Sequence, residues 1–517
     1  MQARALVVLL LAAAGLALRA AVRIDGAPDV DTVNFGLSAW RFSLVDHQPH
    51  PPGYLGYVLY LKALHALLPS MEPITLALWG SRIASALTLP AAWWSVRTLA
   101  SERGADPRDA DSLGLAAAGL AAMHPLLWYS GCDGQSHSAE ALATFALFGF
   151  GARVASRVTT ARLALLTFAV AASASLRPTV VLPMLPLLLW LLRPRPWRAR
   201  LIAAGAGLVG VLGWYVPLVW LSGGPALYAR INRALIVDIF VANYSVTSIV
   251  AHPRAVLGNM GVALMSLALA SIPLISHGTA AWKLRRPWAM GIALATLFYM
   301  CSYTAESGYF SGVAALCCLV PATWTATPAV RRGVEAAVLG AAIFLLGPER
   351  VPLTAEGGAY PIPTVQRLRG VDSRLARFRR QVCDPLRGAP AIVLTDDTNT
   401  TLTRAVPLRC QNVAVGWYIY HPAINPRLDH WQVFYRDGMG TAPTPVPFEM
   451  GPPAMVTTRF PVEWVVVGAD ASTEFRDAIR SFSSCPPEPL GTAATFYRAR
   501  CVPMIHLGQN TLRIRVR

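Results

Sequence analysis

The chain has 517 residues, of which 54% are hydrophobic and only 14% charged, and its mean hydropathy is +0.44. This composition excludes an ordinary soluble globular protein, in which charged residues make up about a quarter of the chain. The net charge of +17 does not indicate a nucleic-acid partner, because the arginines lie in several short loops rather than on one face. Apolar runs separated by short basic loops indicate an integral membrane protein.

Twelve apolar runs occur in the first 347 residues, and each is about as long as a bilayer-crossing helix must be. They span residues 5–22, 53–68, 76–96, 113–130, 138–155, 160–176, 178–192, 200–221, 256–275, 288–304, 308–327 and 332–347. Their Ala, Leu and Gly content favours helices, because the strands of a membrane barrel would alternate polar and apolar residues. The predicted fold class is an all-α polytopic membrane bundle of about 11–12 hydrophobic helices over residues 1–348.

The basic loops predict the topology, since positively charged loops face the cytoplasm. The loops expected inside are 153–162, 193–200, 283–286 and 331–332. Counting from them places outside the segment 131–137, the Arg177-Pro178 junction, the loop 222–255, the turn 306–309 and the whole tail. The first run is expected to be a retained anchor, because no clear small-residue cleavage site follows it.

The run 53–68 does not fit this count as a full crossing. It is short, carries Lys62 and His65, and is therefore predicted to be an amphipathic or re-entrant helix on the outer side, which leaves eleven spans. In the alternative, 53–68 spans the bilayer and one of the two runs beside Arg177 does not.

Residues 349–517 are predicted to form an extracytoplasmic α/β domain, because short strand-like runs occur there among many prolines and glycines. The clearest strands are 391–394 and 464–468, and the aromatic stretch 415–421 favours a buried strand over a sugar-stacking surface. Asp396-Asp397 is interpreted as a polar turn at a strand end. Four tail cysteines would allow two disulfides, and all three pairings remain open: Cys383, Cys410, Cys485 and Cys501.

The first outer loop, residues 23–52, carries most of the candidate chemistry. Asp29 and Asp31 lie near its start, and His47 and His50 lie near its end. Charges in a loop can serve solubility alone, but the intervening residues here are aromatic and apolar. This pattern indicates a loop that lies on the membrane surface and holds its carboxylates there for a purpose beyond solvation.

Two further polar groups are expected at the same outer face. Asp133, His137 and Glu140 lie where one span ends and the next begins, and an ionisable group at the edge of an apolar helix usually faces the bundle interior. Arg177 is a lone cation between two apolar runs. The topology places it on the wrong side for a positive-inside signal, so it is predicted to bind a phosphate.

These residues resemble a known family. A short first helix, an Asp-bearing outer loop, the motif His50-Pro51-Pro52-Gly53-Tyr54 and a polytopic body are similar to the C-type (GT-C), lipid-carrier-dependent glycosyltransferases. Within these, the chain most resembles protein O-mannosyltransferases and lipid A aminoarabinose transferases. The resemblance covers residues 1–330 and is strongest over 29–60, and it does not extend to the tail.

The resemblance implies roles for particular residues. Asp31, with its neighbour Asp29, occupies the place of the catalytic base, and His50 matches the element near the carrier phosphate. Asp133 stands where many members have a second acidic residue, and the turn from Glu306 to Tyr309 is similar to their late outer turn. Leu55 replaces a frequent proline, and Asp-x-Asp replaces the Asp-Glu of the mannosyltransferases, so the sugar and the acceptor stay open.

The implied reaction moves a sugar, mannose-like among the candidates, from a polyprenyl-phosphate donor to a lipid, glycan or protein acceptor. It would take place at the outer side of a bacterial inner membrane. Asp31 would remove the proton of the acceptor hydroxyl, while Arg177, His50 and Lys62 neutralise the departing phosphate, and a single displacement would invert the anomeric carbon. The resemblance predicts no metal. The alternative is a divalent cation held by Asp29, Asp31 and His47.

Two other classes of function remain possible from the sequence. A polytopic transporter or lipid-linked-sugar flippase would also have many spans and a few buried charges. Transporters usually show repeat symmetry and ionisable residues in broken helices near mid-membrane, whereas the charges here gather at one outer face. A scaffold protein with solvated aspartates is the third reading.

Overall fold

The computed structural model describes most of the chain, and the statements below concern those residues alone. The described residues are 2–233, 250, 253–275, 283–302, 307–352, 359–395, 400–420, 429–436, 438–441, 455–458, 460–468, 488–490, 496–500, 504–507 and 510–515. Helices predominate as far as Leu346, and strands begin at Arg350.

Each of the twelve apolar runs contains helix in the described residues. The α-helices of this part are α1 Gln2–Ala20, α2 Val30–Trp40, α3 Leu55–Leu67, α4 Pro73–Glu102, α5 Pro107–Met123, α6 Pro125–Ser130, α7 His137–Ser156, α8 Thr160–Ser173, α9 Val181–Leu192, α10 Trp197–Leu221, α11 Pro225–Arg233, α12 Pro253–Ala270, α13 Ile272–Ile275, α14 Arg285–Ser302, α15 Ser311–Cys317 and α16 Ala326–Leu346. Short 3-10 turns occur at Pro178–Val180, Ser307–Phe310 and Val320–Thr323.

Several of the predicted runs are interrupted helices. The run 113–130 breaks where Pro125 begins α6, and the run 308–327 is a short helix between two 3-10 turns. Among the described helices, α10 is long and apolar enough by length and composition to cross a membrane. Large apolar side chains are nevertheless exposed on other helices too, for instance Leu9 of α1 at 66% and Val338 of α16 at 63%. Exposed apolar faces of this extent are expected where helices meet lipid.

Helix α3 contains 13 residues, which gives it a length of about 20 Å. The hydrocarbon core of a bilayer is about 30 Å thick. Helices α8 and α9, with 14 and 12 residues, are about as short, so helix length does not single out α3 and the partial crossing of 53–68 stays a prediction.

Helix α2 forms because Asp29 caps its N-terminus, where the Asp29 side chain accepts a hydrogen bond from the backbone N–H of Asp31. The helix crosses the start of α4 closely at Gly36. A Cβ atom on Gly36 would lie 2.2 Å from the carbonyl oxygen of Pro73, so only glycine fits without moving a backbone. This contact fixes the position of α2, and therefore of Asp31, on the bundle.

We expect Gly36→Ala to lower the free energy of unfolding by about 1–3 kcal/mol, because overpacking at a backbone contact forces the two helices apart. The measurement is the thermal unfolding midpoint of the purified protein in detergent. Gly119→Ala is the matched control, since a Cβ at Gly119 of α5 meets no described atom within 4 Å and alanine favours a helix. Equal midpoints for the two variants would contradict the close crossing.

The tail contains a seven-stranded mixed sheet, a three-stranded sheet and a two-stranded ribbon. Its strands are β1 Arg350–Pro352, β2 Ala359–Pro361, β3 Ala391–Thr395, β4 Val413–Tyr420, β5 Asp429–Tyr435, β6 Gly438–Thr441, β7 Met455–Thr457, β8 Trp464–Gly468, β9 Glu488–Pro489, β10 Phe496–Ala499, β11 Met504–Leu507 and β12 Asn510–Arg513. The large sheet has the order β6-β5-β4-β3-β8-β10-β9, and its central strand β3 pairs in parallel with β4 and β8. The three strands expected from the sequence are therefore its buried centre, and the tail is α/β as predicted.

Helices α17 Val365–Phe378, α18 Asp384–Leu386 and α19 Thr400–Arg409 flank the large sheet, with a π-helical turn at Arg379–Cys383. Cys383 and Cys410 form a disulfide, which is one of the pairs left open by the sequence. Cys485, Cys501 and the Asp396-Asp397 turn lie outside the described residues.

The tail packs directly on the first outer loop. Val33 and Leu37 of α2 belong to the same buried apolar cluster as Leu368 of α17 and Val406 of α19. The Asp372 carboxylate of α17 also accepts hydrogen bonds from the backbone N–H groups of Asp25 and Gly26. The loop is therefore held between the helical bundle and the tail.

Candidate active site

Asp31 lies in the first turn of α2, in a polar group formed by the outer loop. The Asn34 side-chain amide donates a hydrogen bond of 2.8 Å to Asp31 Oδ1, and His50 Nδ1 lies 3.0 Å from the same oxygen. The spacing from Asp31 to Asn34 is one helical turn, which places both side chains on one face of α2. Among the described residues both contacts fall on Oδ1, so Oδ2 can still accept a proton.

The two neighbouring carboxyls differ in their pKa. Burial raises the pKa of Asp31, but the charge and contact of His50 and the hydrogen bond from Asn34 outweigh burial and hold that pKa below its usual value. Burial and the adjacent Asp31 carboxylate raise the pKa of Asp29 to about 6. Asp31 is therefore ionised at neutral pH and suited to act as a base, whereas Asp29 has a structural role as the helix cap.

The His-Pro-Pro-Gly-Tyr motif connects Asp31 to the bundle. His50 Nε2 lies 3.2 Å from the Tyr54 hydroxyl. The Tyr54 ring packs against the guanidinium of Arg177, and its ring centroid lies 5.6 Å from Arg177 Cζ. Phe35 of α2 packs edge-on against His50 and Tyr54. The motif therefore places Arg177 at the same polar group as the first-loop carboxylate.

Arg177 is already paired. Its Nε lies 3.1 Å from Glu140 Oε2, its Nη1 donates to Ser136 Oγ at 2.9 Å, and the Tyr309 ring centroid lies 4.6 Å from its guanidinium carbon. Both partners of the ion pair are buried, at 2% exposure for Arg177 and 1% for Glu140. The sequence predicts a lone cation here that binds a phosphate. The structure pairs this cation with a buried carboxylate between two tyrosine rings, and phosphate binding stays a prediction.

Asp133 and His137 form a second buried pair beside it. His137 Nδ1 lies 3.0 Å from Asp133 Oδ2, and the Thr32 hydroxyl of α2 donates to the Asp133 carbonyl oxygen at 2.5 Å. The turn that contains Tyr309 packs tightly here, since a Cβ on Gly308 would lie 2.3 Å from the His137 ring. Every outer-face group predicted from the sequence, except the residues discussed next, thus meets at one end of the bundle.

Among the described candidates, Lys62 does not join this group. Lys62 donates to the carbonyl oxygen of Ala39 at 3.2 Å, and Ala39 is eight residues beyond Asp31, or about 12 Å along α2. The prediction that Lys62 neutralises the departing phosphate is therefore not supported by its position. Glu306 lies outside the described residues.

The sequence left open a divalent cation held by Asp29, Asp31 and His47. No group of three or more His, Cys, Asp or Glu side chains there could hold a metal ion. The carboxylate of Asp29 is directed to the backbone of its own helix.

The tail supplies two arginines that sequence reasoning did not single out. Arg404 of α19 is 5% exposed and hydrogen-bonds to Asn34 and to the carbonyl oxygens of Asp46 and His47. Arg367 of α17 packs on the Tyr129 ring, and its positive charge acts on the carboxyl of Asp29. No local pattern marks either residue, because both lie more than 300 positions from the loop residues on which they act.

No protein-family model matches the chain, and no curated protein is similar to it in sequence. Among solved structures, it is similar to ArnT from Cupriavidus metallidurans in the apo state, at 12% identity and a TM-score of 0.53. That match covers 97% of this chain and 99% of ArnT. A second match, to the Archaeoglobus fulgidus oligosaccharyltransferase in complex with zinc and sulfate, has 12% identity and a TM-score of 0.38, and it covers 89% and 68% of the two chains.

ArnT is a lipid A aminoarabinose transferase with the GT-C fold. The likeness extends over nearly the full length of both chains, including the tail that the sequence resemblance did not reach. The chain therefore has a GT-C-like fold, as the resemblance of its first 330 residues predicted.

Proposed function

We propose that this protein is a membrane glycosyltransferase that takes a sugar from a polyprenyl-phosphate carrier and transfers it to an acceptor hydroxyl. The observation that carries the proposal is Asp31, a carboxylate kept ionised by His50 and Asn34 at the end of a GT-C-like bundle. Among the described residues, Asp133, His137 and Arg177 are expected outside by the charge pattern and lie at this end, so we place the reaction on the periplasmic side of a bacterial inner membrane.

The chemistry requires one displacement. The acceptor hydroxyl attacks the anomeric carbon of the sugar while Asp31 Oδ2 takes its proton. The bond between that carbon and the carrier phosphate oxygen breaks, and the phosphate leaves with the bonding electrons. The attack comes from the face opposite the phosphate, so the product has the inverted configuration.

The leaving phosphate needs positive charge or hydrogen-bond donors beside it. Arg177 contributes less than a free cation because Glu140 pairs with it. Arg367 is better placed than Lys62 to supply a further cation, since its Nη1 is buried without a hydrogen-bond partner among the described residues. His50, Arg177 and Arg367 are therefore the groups that we assign to the phosphate, and Lys62 is left out.

The test uses purified protein in proteoliposomes that contain polyprenyl-phosphate sugars labelled in the sugar, with a bacterial membrane extract as the acceptor source. We expect the label to leave the carrier and to appear in a product that mild acid no longer releases. A flippase would move intact labelled carrier between leaflets without this transfer, and that result would replace the enzyme proposal with the transporter class.

A further inference from the structure

Arg404 is linked to the candidate base Asp31 through the side chain of Asn34. Its guanidinium donates to the side-chain oxygen of Asn34, and the side-chain nitrogen of Asn34 donates to Asp31 Oδ1 at 2.8 Å. Arg404 and Asn34 are both buried, at 5% and 2% exposure. A residue of the tail is thus two hydrogen bonds away from Asp31.

The direction of these bonds is set by Arg404. A guanidinium has only donors, so the amide oxygen of Asn34 must face it. The amide nitrogen then necessarily faces Asp31, and an NH2 group can donate only to an acceptor such as an ionised carboxylate. If Arg404 were absent, the Asn34 amide could rotate and present its oxygen to Asp31, which would repel the charged form.

Arg404 also fixes the other side of the site. It donates to the carbonyl oxygens of Asp46 at 2.5 Å and His47 at 3.1 Å, just before the segment that carries His50. The two groups that contact Asp31 Oδ1, namely Asn34 and His50, are therefore both oriented from the tail by one guanidinium.

We propose that Arg404 is a positioning residue for the base Asp31, and that the tail takes part in transfer through this one side chain rather than through docking as such. This inference rests on the proposed function. Arg404 itself contacts neither the sugar nor the phosphate; it holds Asn34 and the His47–His50 segment in the arrangement that keeps Asp31 ready to accept a proton.

A substitution of Arg409 serves as the control that separates positioning of the base from docking of the tail. Arg409 lies on the same helix α19, and it binds the Asp25 carbonyl oxygen and the Glu72 carboxylate, so it also attaches the tail to the bundle. Among the described residues, Arg409 makes no hydrogen bond to Asn34 or Asp31. Arg409→Met therefore removes a comparable docking contact without disturbing the base.

The experiment measures kcat and the KM for the polyprenyl-phosphate donor in wild type, Arg404→Met, Asn34→Ala, the double variant and Arg409→Met. We expect kcat to fall by about 10- to 100-fold in both Arg404→Met and Asn34→Ala, because the orientation of the base is lost. The KM for the donor should stay close to wild type in Asn34→Ala and rise in Arg404→Met, because Arg404 also holds the segment of His50, which we assign to the phosphate. The double variant should be no slower than the slower single variant, since both changes break one chain of bonds. Arg409→Met should keep the wild-type kcat.

Several outcomes would overturn the inference. These are a wild-type kcat in Arg404→Met, a double variant whose loss is the product of the two single losses, or an equal loss in Arg409→Met. If Arg404→Met does not fold, Arg404→Lys takes its place with the same expected loss of kcat, because a lysine keeps the charge but lacks the planar fork of donors that holds Asn34 and the two carbonyls together. Absence of transfer in the wild type would instead refute the proposed function.

Discussion

Asp31→Asn is expected to slow sugar transfer by about 10²–10⁴-fold, which is the usual contribution of a positioned general base. An amide has nearly the same shape but cannot take the proton of the acceptor hydroxyl. The substitution leaves Arg177 and Arg367 in place for the donor's phosphate, so we expect donor affinity to change less than the rate. The measurement is the initial rate of transfer in proteoliposomes, at equal amounts of folded protein.

Asp111→Asn is the matched control. Asp111 lies near the start of α5, pairs with Arg97 at 2.5 Å, and is partly exposed. The same chemical change there should leave the transfer rate near the wild-type value. An Asp31→Asn enzyme that retains full transfer activity would refute the assignment of the base and leave the enzyme class standing.

The pH dependence separates Asp31 from Asp29. A base must be ionised, and because the pKa of Asp31 is held below its usual value, kcat/KM should stay constant as the pH falls through 6. It should decline only below the ordinary aspartate pKa of about 4. Asp29, with its pKa raised to about 6, would instead produce an acid limb near pH 6. A limb at that pH would move the role of base to Asp29.

Arg177→Met is expected to lower the free energy of unfolding by about 3–5 kcal/mol. The substitution would leave the Glu140 carboxylate buried without its cation, and an unpaired buried charge is strongly destabilising. The Thr179 hydroxyl would remain as a donor to Glu140 Oε1, so the loss is that of the charge partner rather than of every contact. The measurement is the unfolding midpoint in detergent.

The double variant Arg177→Met with Glu140→Gln tests the cause. Removing both charges should recover a large part of the stability lost in Arg177→Met, because no unpaired charge remains. Arg331→Met is the control, since the Arg331–Glu335 pair of α16 is exposed and contributes little. If the double variant is as unstable as Arg177→Met, the ion pair is not what stabilises this part of the bundle.

Local sequence patterns predicted much of the secondary structure and several of the candidate site residues. The apolar runs predicted the helices, because the length and hydropathy of a segment determine whether it can form a buried or lipid-facing helix. The strands 391–394 and 464–468 were recognisable by their β-branched residues, and they form the centre of the tail's sheet. Asp31 and His50 were identified as candidates because carboxylates and histidines are unusual in a loop that is otherwise apolar.

The relations among those candidates depended on the folded chain. Asp31 contacts His50 and Asn34, but its state also depends on Arg404, which is 370 positions from Asn34. The sequence indicated a lone cation at Arg177, but in the folded chain α7 places Glu140 against it. Lys62 contacts the other end of α2. Hydropathy and spacing act over a few turns of chain, whereas ion pairing and amide orientation depend on which distant segments pack together. The sequence therefore located the polar residues, and tertiary packing assigned each one its partner.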